Sequence, residues 1–350
     1  MAVTDDASTG LKGGRVGRTA DRSDRSDRAP TGGGCDVALG RVAEMLREAD
    51  AVVIAASNGF DIADGYNQFA SDETFMRLFG DFYRAYGLTS MLQGLMARWG
   101  SEEARWAFLA RLIDYGYRGY KPSPVMSALD GLTTGLPRFV VTCNCNGRFE
   151  RARFAADAIF ETEGSYARLR CAAGRPGVCA AGCDDDCANE DYDVLPFVEP
   201  LLAAARAGSV PSDLLPRCPR CGSPLDAMVG DGRSLSSLAR YRDQRSRFEA
   251  FLDAHRTGRV LVLELGIGQR NQAIKLPLMR YASSAPHALY AAFNREAAQL
   301  PAGMGERSVA VAGDLGAALL DLASLVGAAH GTAAAYSAAC DEGRVNPWVV

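Results

Sequence analysis

Short, largely apolar runs alternate with segments of helical spacing along most of the chain. The runs cover residues 49–56, 138–142, 259–265, 288–293 and 308–312, and each is followed by small or polar residues. Continuous runs of this kind are typical of strands that are buried on both faces of a parallel sheet. Because strands and helices alternate, the pattern predicts an α/β fold with a doubly wound, Rossmann-like parallel sheet.

Two stretches in the middle of the chain combine a predicted strand with polar side chains. Residues 140–146 (VVTCNCN) form a strand that breaks into a polar turn at Asn144. Residues 159–171 (IFETEGSYARLRC) are interpreted as another strand, which runs into the polar segment Glu163-Gly164-Ser165 and then into a cysteine. Ligands of open α/β sheets bind at the carboxyl ends of the strands. We therefore expect a ligand pocket near Asn144 and Glu163.

The remaining segments predict the domain organisation. Residues 1–34 contain hardly any large apolar side chain, so we expect a disordered tail. Residues 72–135 have helical apolar and aromatic spacing, which predicts a helical insertion after the first strand and helix. The predicted domain of residues 35–328 contains a Rossmann-like core, this insertion and a cysteine-rich module. The core covers residues 35–71, 136–170 and 236–328, the module 171–235, and a C-terminal tail 329–350.

Charge and hydropathy exclude some classes of partner. The net charge of -4 over 350 residues gives no reason to expect a nucleic-acid surface. No apolar run reaches the length of a membrane span, and the N-terminus has no apolar signal core. We therefore expect a cytoplasmic protein with neither a nucleic-acid nor a membrane partner.

The cysteines are unevenly distributed and predict a metal site. Six of the ten fall between Cys171 and Cys221, and in a reducing cytoplasm such clustering favours metal over disulfides. The pair Cys218-x-x-Cys221 has the spacing of structural zinc sites. A tetrahedral site needs two further ligands, and four thiolates would leave no position open for water. The upstream candidates are Cys171, Cys179, Cys183 and Cys187.

Several motifs in a fixed order resemble those of the sirtuin family. They are SNGFDIADG after the first strand, TCNCNG, ETEGSY, the two-part cysteine set and LELGIG, and the resemblance covers about residues 36–328. The chain is most similar to the macrodomain-linked (class M) branch, the sirtuins that act as protein ADP-ribosyltransferases, because SEEARWAF and RCPRCG match that branch as well. The resemblance implies the sirtuin fold with a small zinc-binding module and a helical insertion. It also implies NAD as substrate and a structural Zn²⁺.

The resemblance also implies the cofactor-binding residues. Ser57, Asn58 and Gly59 fall on the phosphate-binding loop, and Gln68 and Phe69 on the pair that shapes the nicotinamide pocket. Further NAD contacts are implied at Asn144, Gly266, Gly268, Asn294 and Asp314. The implied zinc ligands are Cys171, Cys187, Cys218 and Cys221, with Cys183 or Cys179 as replacements for one of the first two.

Four residues of the pocket depart from the family pattern. Ser57 replaces a glycine and Asp61 replaces a serine in the phosphate loop, while Gln68 and Asn146 each replace an aspartate. Asp61 would repel a pyrophosphate unless its side chain points away or carries a proton. Four changes at one pocket suggest altered chemistry.

The position of the catalytic histidine of deacylase sirtuins is occupied here by Glu163. The three histidines of the chain, His255, His287 and His330, all fall elsewhere, so the usual deacylation base is missing. The ADP-ribosyltransferase branch has glutamine at this position. A carboxylate could hydrogen-bond a ribose hydroxyl, stabilise an oxocarbenium ion or deprotonate an acceptor. The alternative is that Glu163 only caps a loop.

These observations lead to one main hypothesis and three alternatives. The main hypothesis is an NAD-dependent protein ADP-ribosyltransferase with Asn144 and Glu163 as catalytic residues, which cleaves the nicotinamide–ribose bond and passes ADP-ribose to a protein. Related branch members act on lipoyl-carrier proteins, so such an acceptor is one candidate. The alternatives are an NAD hydrolase and a non-catalytic NAD or ADP-ribose sensor, with a deacylase the least favoured.

Overall fold

The computed structural model describes residues 33–172, 190–269, 271–296 and 298–329. Most of the predicted N-terminal tail, the cysteine-rich segment 173–189 and the C-terminal segment from residue 330 lie outside these ranges. Among the residues that are described, no helix is long and apolar enough to cross a membrane.

The described residues form nine strands in two sheets. The strands are β1 (Ala51–Ala56), β2 (Arg138–Thr142), β3 (Ile159–Glu161), β4 (Gly164–Cys171), β5 (Asp191–Asp193), β6 (Leu225–Val229), β7 (Val260–Leu265), β8 (Leu289–Asn294) and β9 (Ser308–Ala312). The larger sheet has the order β3-β2-β1-β7-β8-β9, and all of its pairings are parallel. Every residue of β1 and β7 is buried, as their continuous apolar runs predict. The predicted doubly wound parallel sheet is therefore confirmed.

The stretch 159–171 contains a strand that ends two residues before Glu163, and a second strand that was not predicted from the sequence. It is divided between β3 in the large sheet and β4 in a second, antiparallel sheet of order β5-β4-β6. The turn between them includes Thr162 and Glu163, and Gly164 follows with a φ of +75°, which favours glycine. Two backbone hydrogen bonds fix the turn, since Thr162 N donates to Thr142 O and Gly230 N donates to Glu163 O.

Helices cover both faces of the large sheet and build the insertion. They are α1 (Gly33–Glu48), α2 (Asn58–Ala63), α3 (Glu73–Tyr86), α4 (Met91–Met96), α5 (Glu102–Ile113), α6 (Pro124–Thr133), α7 (Arg148–Arg151), α8 (Leu195–Ala204), α9 (Gly232–Leu235), α10 (Ala239–Ala254), α11 (Gln272–Ser284) and α12 (Leu315–Ala329). One apolar core packs α1, α6 and α12 on the sheet, and another packs α10 and α11 on the opposite face.

The segment predicted to be a helical insertion contains α3 to α6. Each of these helices begins at a residue whose side chain accepts a hydrogen bond from a backbone N–H of the first turn. The four capping residues are Asp72, Ser90, Ser101 and Ser123, and such caps are typical helix starts. Most aromatic side chains of the insertion form a third core with the second sheet.

A buried ion pair joins the large sheet to α11. Lys275 Nζ lies 2.5 Å from Glu264 Oε1, and both side chains are almost fully buried. The Tyr290 hydroxyl donates a hydrogen bond to the other oxygen of the same carboxylate. The Glu264 carboxylate thus binds one residue of β8 and one residue of α11.

Removing the cation of this pair should destabilise the fold strongly. Lys275→Met leaves the Glu264 carboxylate buried without its counterion, which should cost about 3–5 kcal/mol. Arg280→Met, at an exposed position of the same helix, serves as the control and should change stability by less than ~0.5 kcal/mol. Urea unfolding of both variants measures the difference. A loss below ~1 kcal/mol for Lys275→Met would show that the pair does not hold this helix.

Candidate functional site

The topology places a crevice between β1 and β7. These strands are neighbours, and the chain leaves β1 towards β2 on one side and β7 towards β8 on the other. Ligands of open α/β sheets bind at the carboxyl edge of such a switch point. The loops that follow β1, β2 and β7 all emerge at this edge, and they carry most of the predicted site residues.

Two glycines bring the loops after β1 and β7 into backbone contact. Gly59 N donates a hydrogen bond of 3.1 Å to Gly266 O. A Cβ atom on Gly59 would lie 2.6 Å from Gly266 Cα, and one on Gly266 would lie 2.5 Å from Gly59 Cα. Gly266 also has a φ of +64°. Neither position has room for a side chain, so both glycines are required by the fold at this edge.

Asn144 presents an unpartnered oxygen at the end of β2. Its side chain is buried, and Nδ2 donates a 3.1 Å hydrogen bond to Ser57 O. Oδ1 is buried and has no hydrogen-bond partner in the structure. A reversed amide would place two carbonyl oxygens against each other, so the network fixes the orientation. A buried acceptor without a partner is costly, and a ligand hydroxyl could satisfy it.

Ser57 is held by a neighbouring thiol. Cys143 Sγ donates to Ser57 Oγ at 3.1 Å, and Asn271 Nδ2 lies 2.9 Å from the same sulfur. Burial raises the pKa of Cys143 to about 12, and the nearby charge of Glu163 adds to the effect. The thiol therefore stays protonated at neutral pH and acts as a hydrogen-bond donor, not as a thiolate nucleophile.

Asp61 points into the protein, towards the loop after β2. Its side chain is buried, and Oδ2 accepts a 2.7 Å hydrogen bond from Asn146 Nδ2. Burial raises the pKa of Asp61 to about 7, against the opposing effect of Arg148. Two of the four departures from the family pattern, Asp61 and Asn146, are thus partners of each other.

A buried cluster around Arg148 lies beside this pair and was not predicted from the sequence. Arg148 Nη1 lies 2.9 Å from Asp64 Oδ2, and both side chains are buried. The guanidinium lies over the rings of Tyr66 and Tyr120, 4.5 and 4.3 Å from their centroids, which is cation–π distance. Tyr120 and Ser123 also donate to Asp64. No motif marks these residues, because they come from three separate segments.

Glu163 lies partly buried in the turn between β3 and β4. Burial raises the pKa of its carboxyl group, and the charge of Asp231 raises it further. Among the described residues, its contact with Gly230 is made by the backbone oxygen, and no side chain or N–H hydrogen-bonds the carboxylate. The carboxylate also acts electrostatically on Cys143 and Cys145. It therefore lies near the end of β2 and does not cap the loop.

The predicted nicotinamide pair lies between α2 and α3. Gln68 Nε2 donates a 2.7 Å hydrogen bond to Asn58 Oδ1, so this departure from the family pattern also has a partner in the phosphate loop. The side chain of Phe69 is 46% exposed. An aromatic ring so accessible beside the loop could cover a ligand.

The predicted adenosine contacts lie along β7 to β9. Asn294 Nδ2 donates to Ile267 O at 3.1 Å and thereby fixes the loop after β7. Asp314 is exposed, and its carboxylate caps α12 by accepting from Ala317 N at 2.8 Å. A Cβ atom on Gly268 would meet nothing within 4 Å. The fold therefore gives Asp314 a structural role and gives no packing reason for glycine at 268.

Three of the predicted zinc ligands come together in the second sheet. The sulfur atoms of Cys171, Cys218 and Cys221 all lie within 4.8 Å of one another. Cys171 Sγ lies 3.5 Å from Cys221 Sγ. Tetrahedral zinc with bonds of about 2.3 Å sets thiolate sulfurs roughly 3.8 Å apart, so the three thiols fit the metal. The predicted fourth ligand Cys187, and its replacements Cys179 and Cys183, lie outside the described residues.

The chain has two curated relatives with related names. No protein-family model matches it. A protein from Staphylococcus aureus (strain Mu50 / ATCC 700699), named "Protein ADP-ribosyltransferase", is 29% identical over 283 residues, which are 78% of this chain and 84% of that protein. A "Probable bifunctional ADP-ribose hydrolase/ADP-ribosyltransferase" from Fusarium oxysporum f. sp. cubense is 24% identical over 66% of this chain. The match spans only 38% of the Fusarium protein.

Similarity to solved structures shows which fold the chain has. Two mutant forms of a Sir2 homologue, each in complex with ADP-ribose, superpose with TM-scores of 0.51 and 0.50 at 16% and 14% identity. Each match covers 83% of this chain and 97% of the other. The chain has the sirtuin fold. The predicted resemblance to sirtuins is thereby confirmed, whereas the link to the macrodomain-linked branch stays a prediction.

Proposed function

We propose that this sirtuin-fold protein is an NAD-dependent ADP-ribosyltransferase, which cleaves the nicotinamide–ribose bond of NAD and transfers ADP-ribose to a protein acceptor. The observation that carries the proposal is that two acceptor groups without a hydrogen-bond donor lie at the carboxyl edge of the sheet. Asn144 Oδ1 is buried without a partner, and the Glu163 carboxylate has no hydrogen bond from the described residues. The name of the Staphylococcus relative supports the same reaction.

The reaction needs a group that tolerates positive charge on the ribose. When the C–N bond breaks, nicotinamide leaves with the bonding electron pair, and the ribose becomes an oxocarbenium-like cation. An acceptor lone pair then forms the new bond at the same carbon, and the acceptor loses a proton. In this proposal, ionised Glu163 stabilises the cation or takes that proton. Asn144 Oδ1 accepts a hydrogen bond from a ribose hydroxyl.

The glycine loops would hold the rest of the substrate. Backbone groups of Ser57, Asn58 and Gly59 lie at the carboxyl end of β1, where a pyrophosphate can approach. Gly268 has space on the outer side of its loop, which suits close contact with the adenosine half. Phe69 would cover the nicotinamide end. In this proposal Gln68, Gly266, Asn294 and Asp314 shape the pocket mainly through the protein contacts described above.

Deacylation finds no support in the site. The described histidines, His255 and His287, precede β7 and β8 and so lie towards the opposite edge of the sheet. His330 lies outside the described residues. With a carboxylate in place of the histidine, the site suits glycosidic bond cleavage better than deacylation.

A non-catalytic sensor is the second candidate. All four residues that depart from the family pattern hydrogen-bond to protein neighbours in the structure; they are Ser57, Asp61, Gln68 and Asn146. A pocket could keep its shape with these changes and lose turnover. The acceptor is open as well, since no described residue selects a lipoyl-carrier protein over another.

Removing Glu163 should separate catalysis from binding. Purified protein is incubated with adenine-labelled NAD and cell lysate, and free nicotinamide and labelled protein are followed together. Glu163→Ala should lower nicotinamide release by about 100-fold and leave ADP-ribose binding in place. Glu163→Gln should retain more turnover and lose the rise in rate that the unchanged carboxylate shows as pH increases through its raised pKa. Glu306→Gln, an exposed position before β9, is the control.

Each outcome of this assay has a distinct meaning. Nicotinamide release with label on a discrete protein supports the transferase and identifies its acceptor. Release with only free ADP-ribose makes the protein a hydrolase. Binding of ADP-ribose without release by the unchanged chain contradicts the proposal and leaves a sensor.

We also propose that Cys171, Cys218 and Cys221 hold a structural Zn²⁺, with a fourth thiolate from Cys179, Cys183 or Cys187. Four thiolates leave no open position on zinc. The metal would therefore stabilise the second sheet and take no part in the reaction.

Zinc should be present in the purified protein and should depend on the cysteine cluster. Elemental analysis should find about one zinc per chain. Cys218→Ser should reduce this content and lower the melting temperature, whereas Cys145→Ser should leave the zinc content unchanged. Serine variants at the three upstream cysteines should identify the fourth ligand. A zinc-free protein whose melting temperature is insensitive to a chelator would contradict the assignment.

A further inference from the structure

A buried carboxylate lies directly behind the proposed catalytic asparagine. Asp61 on α2 accepts a hydrogen bond from Asn146, which is two residues after Asn144 in the same turn. The Asn144 side chain also lowers the pKa of the Asp61 carboxyl group, because its hydrogen-bonding effect favours the ionised form. The carboxylate is thus hydrogen-bonded to Asn146 and interacts electrostatically with Asn144.

Relative to the family pattern, the carboxylate lies on the helix and not on the turn. That pattern has a serine at the position of Asp61 and an aspartate at the position of Asn146. In this chain the helix supplies the carboxylate and the turn supplies the amide. Because the two residues are hydrogen-bonded to each other in this chain, we interpret the two substitutions as one change.

The surroundings of Asp61 make its charge sensitive to pH. Arg148 is the nearby cation and lowers the pKa of Asp61, but it is ion-paired with Asp64 at 2.9 Å. Burial therefore dominates and raises the pKa of Asp61 to about 7. The other titratable and charged groups that face Asp61 are Tyr66 after α2, Asp64 on the same helix, Arg148 on α7, and Cys143 and Cys145 after β2.

We propose that the ionised carboxylate of Asp61 is a positioning group for the proposed reaction. It holds Asn146 and keeps the Asn144 amide turned so that Oδ1 faces the pocket. The inference rests on the proposed function and adds to it a second acidic residue, whose contribution to the pH dependence is separate from that of Glu163.

The sign of the pH effect follows from the raised pKa. With a pKa of about 7, Asp61 is mostly protonated at pH 6 and mostly ionised at pH 8. A charge-assisted hydrogen bond is roughly twice as strong as a neutral one. Turnover should therefore increase from pH 6 to pH 8 as the ionised fraction increases, by up to about tenfold from this group alone.

The test exchanges the two side chains. Nicotinamide release is measured at pH 6 and pH 8 for the unchanged chain, Asp61→Asn, Asn146→Asp and the double variant that combines both. Asp61→Asn should lower kcat by about tenfold at pH 8 and by less than about twofold at pH 6, because the unchanged carboxyl is already neutral there. Asn146→Asp places two carboxylates together and should also lower kcat. The double variant restores one carboxylate and one amide, and should recover to within about threefold.

The comparison at two pH values removes the contribution of Glu163, which is the same in all four proteins. Asp226→Asn is the matched control, since it removes a buried carboxylate whose ionic partner Arg105 belongs to the helical insertion. Thermal unfolding of every variant excludes a general loss of fold. If Asp61→Asn does not fold, Asp61→Ser, which has the residue of the family pattern, replaces it.

Failure of this inference and failure of the proposed function give different results. If the unchanged chain releases nicotinamide and Asp61→Asn has the same kcat at both pH values, the inference is overturned and the function stands. If the unchanged chain releases none, the function fails, and ADP-ribose affinity replaces kcat as the readout. A pH-dependent affinity that becomes flat in Asp61→Asn would then support the inference, and equal affinities would overturn it.

Discussion

The site depends on the backbone contact between Gly59 and Gly266. The loops after the two central strands approach so closely that neither can have a Cβ atom at this point. This contact fixes the start of α2, which carries Asp61 and ends just before Asp64, next to the turn that follows β2. A side chain at either glycine would separate the loops and move every polar group of the pocket.

Several polar side chains at this edge are hydrogen-bonded to other described residues, whereas one buried acceptor atom is not. Ser57, Asp61 and Gln68 all find partners on neighbouring loops, which explains why residues that depart from the sirtuin pattern can coexist. Asn144 Oδ1 stays without a partner. Because unpaired buried acceptors are rare and costly, this atom is the clearest sign that the edge is built for a ligand.

The sequence predicted what depends on periodicity and on local motifs. The apolar runs of β1 and β7 specify central strands, and Cys218-x-x-Cys221 specifies a knuckle that the structure joins to Cys171. Other features depend on three-dimensional neighbours and were not predictable. The cluster around Arg148 unites distant segments, and the second sheet after Glu163 depends on the pairing of β4 with β5 and β6, which lie far along the chain.

The most direct test of the pocket uses a glycine that the fold does not need. Gly268→Ala adds a methyl group that meets no atom of the described residues within 4 Å, as does Gly40→Ala on α1, which serves as the control. Calorimetric titration should show one ADP-ribose bound per unchanged chain, and affinity should fall at least tenfold in Gly268→Ala, with stability changed by less than ~1 kcal/mol. Gly40→Ala should bind as the unchanged chain does. Equal affinities in all three proteins, or no binding by the unchanged chain, would contradict a nucleotide pocket at this edge of the sheet.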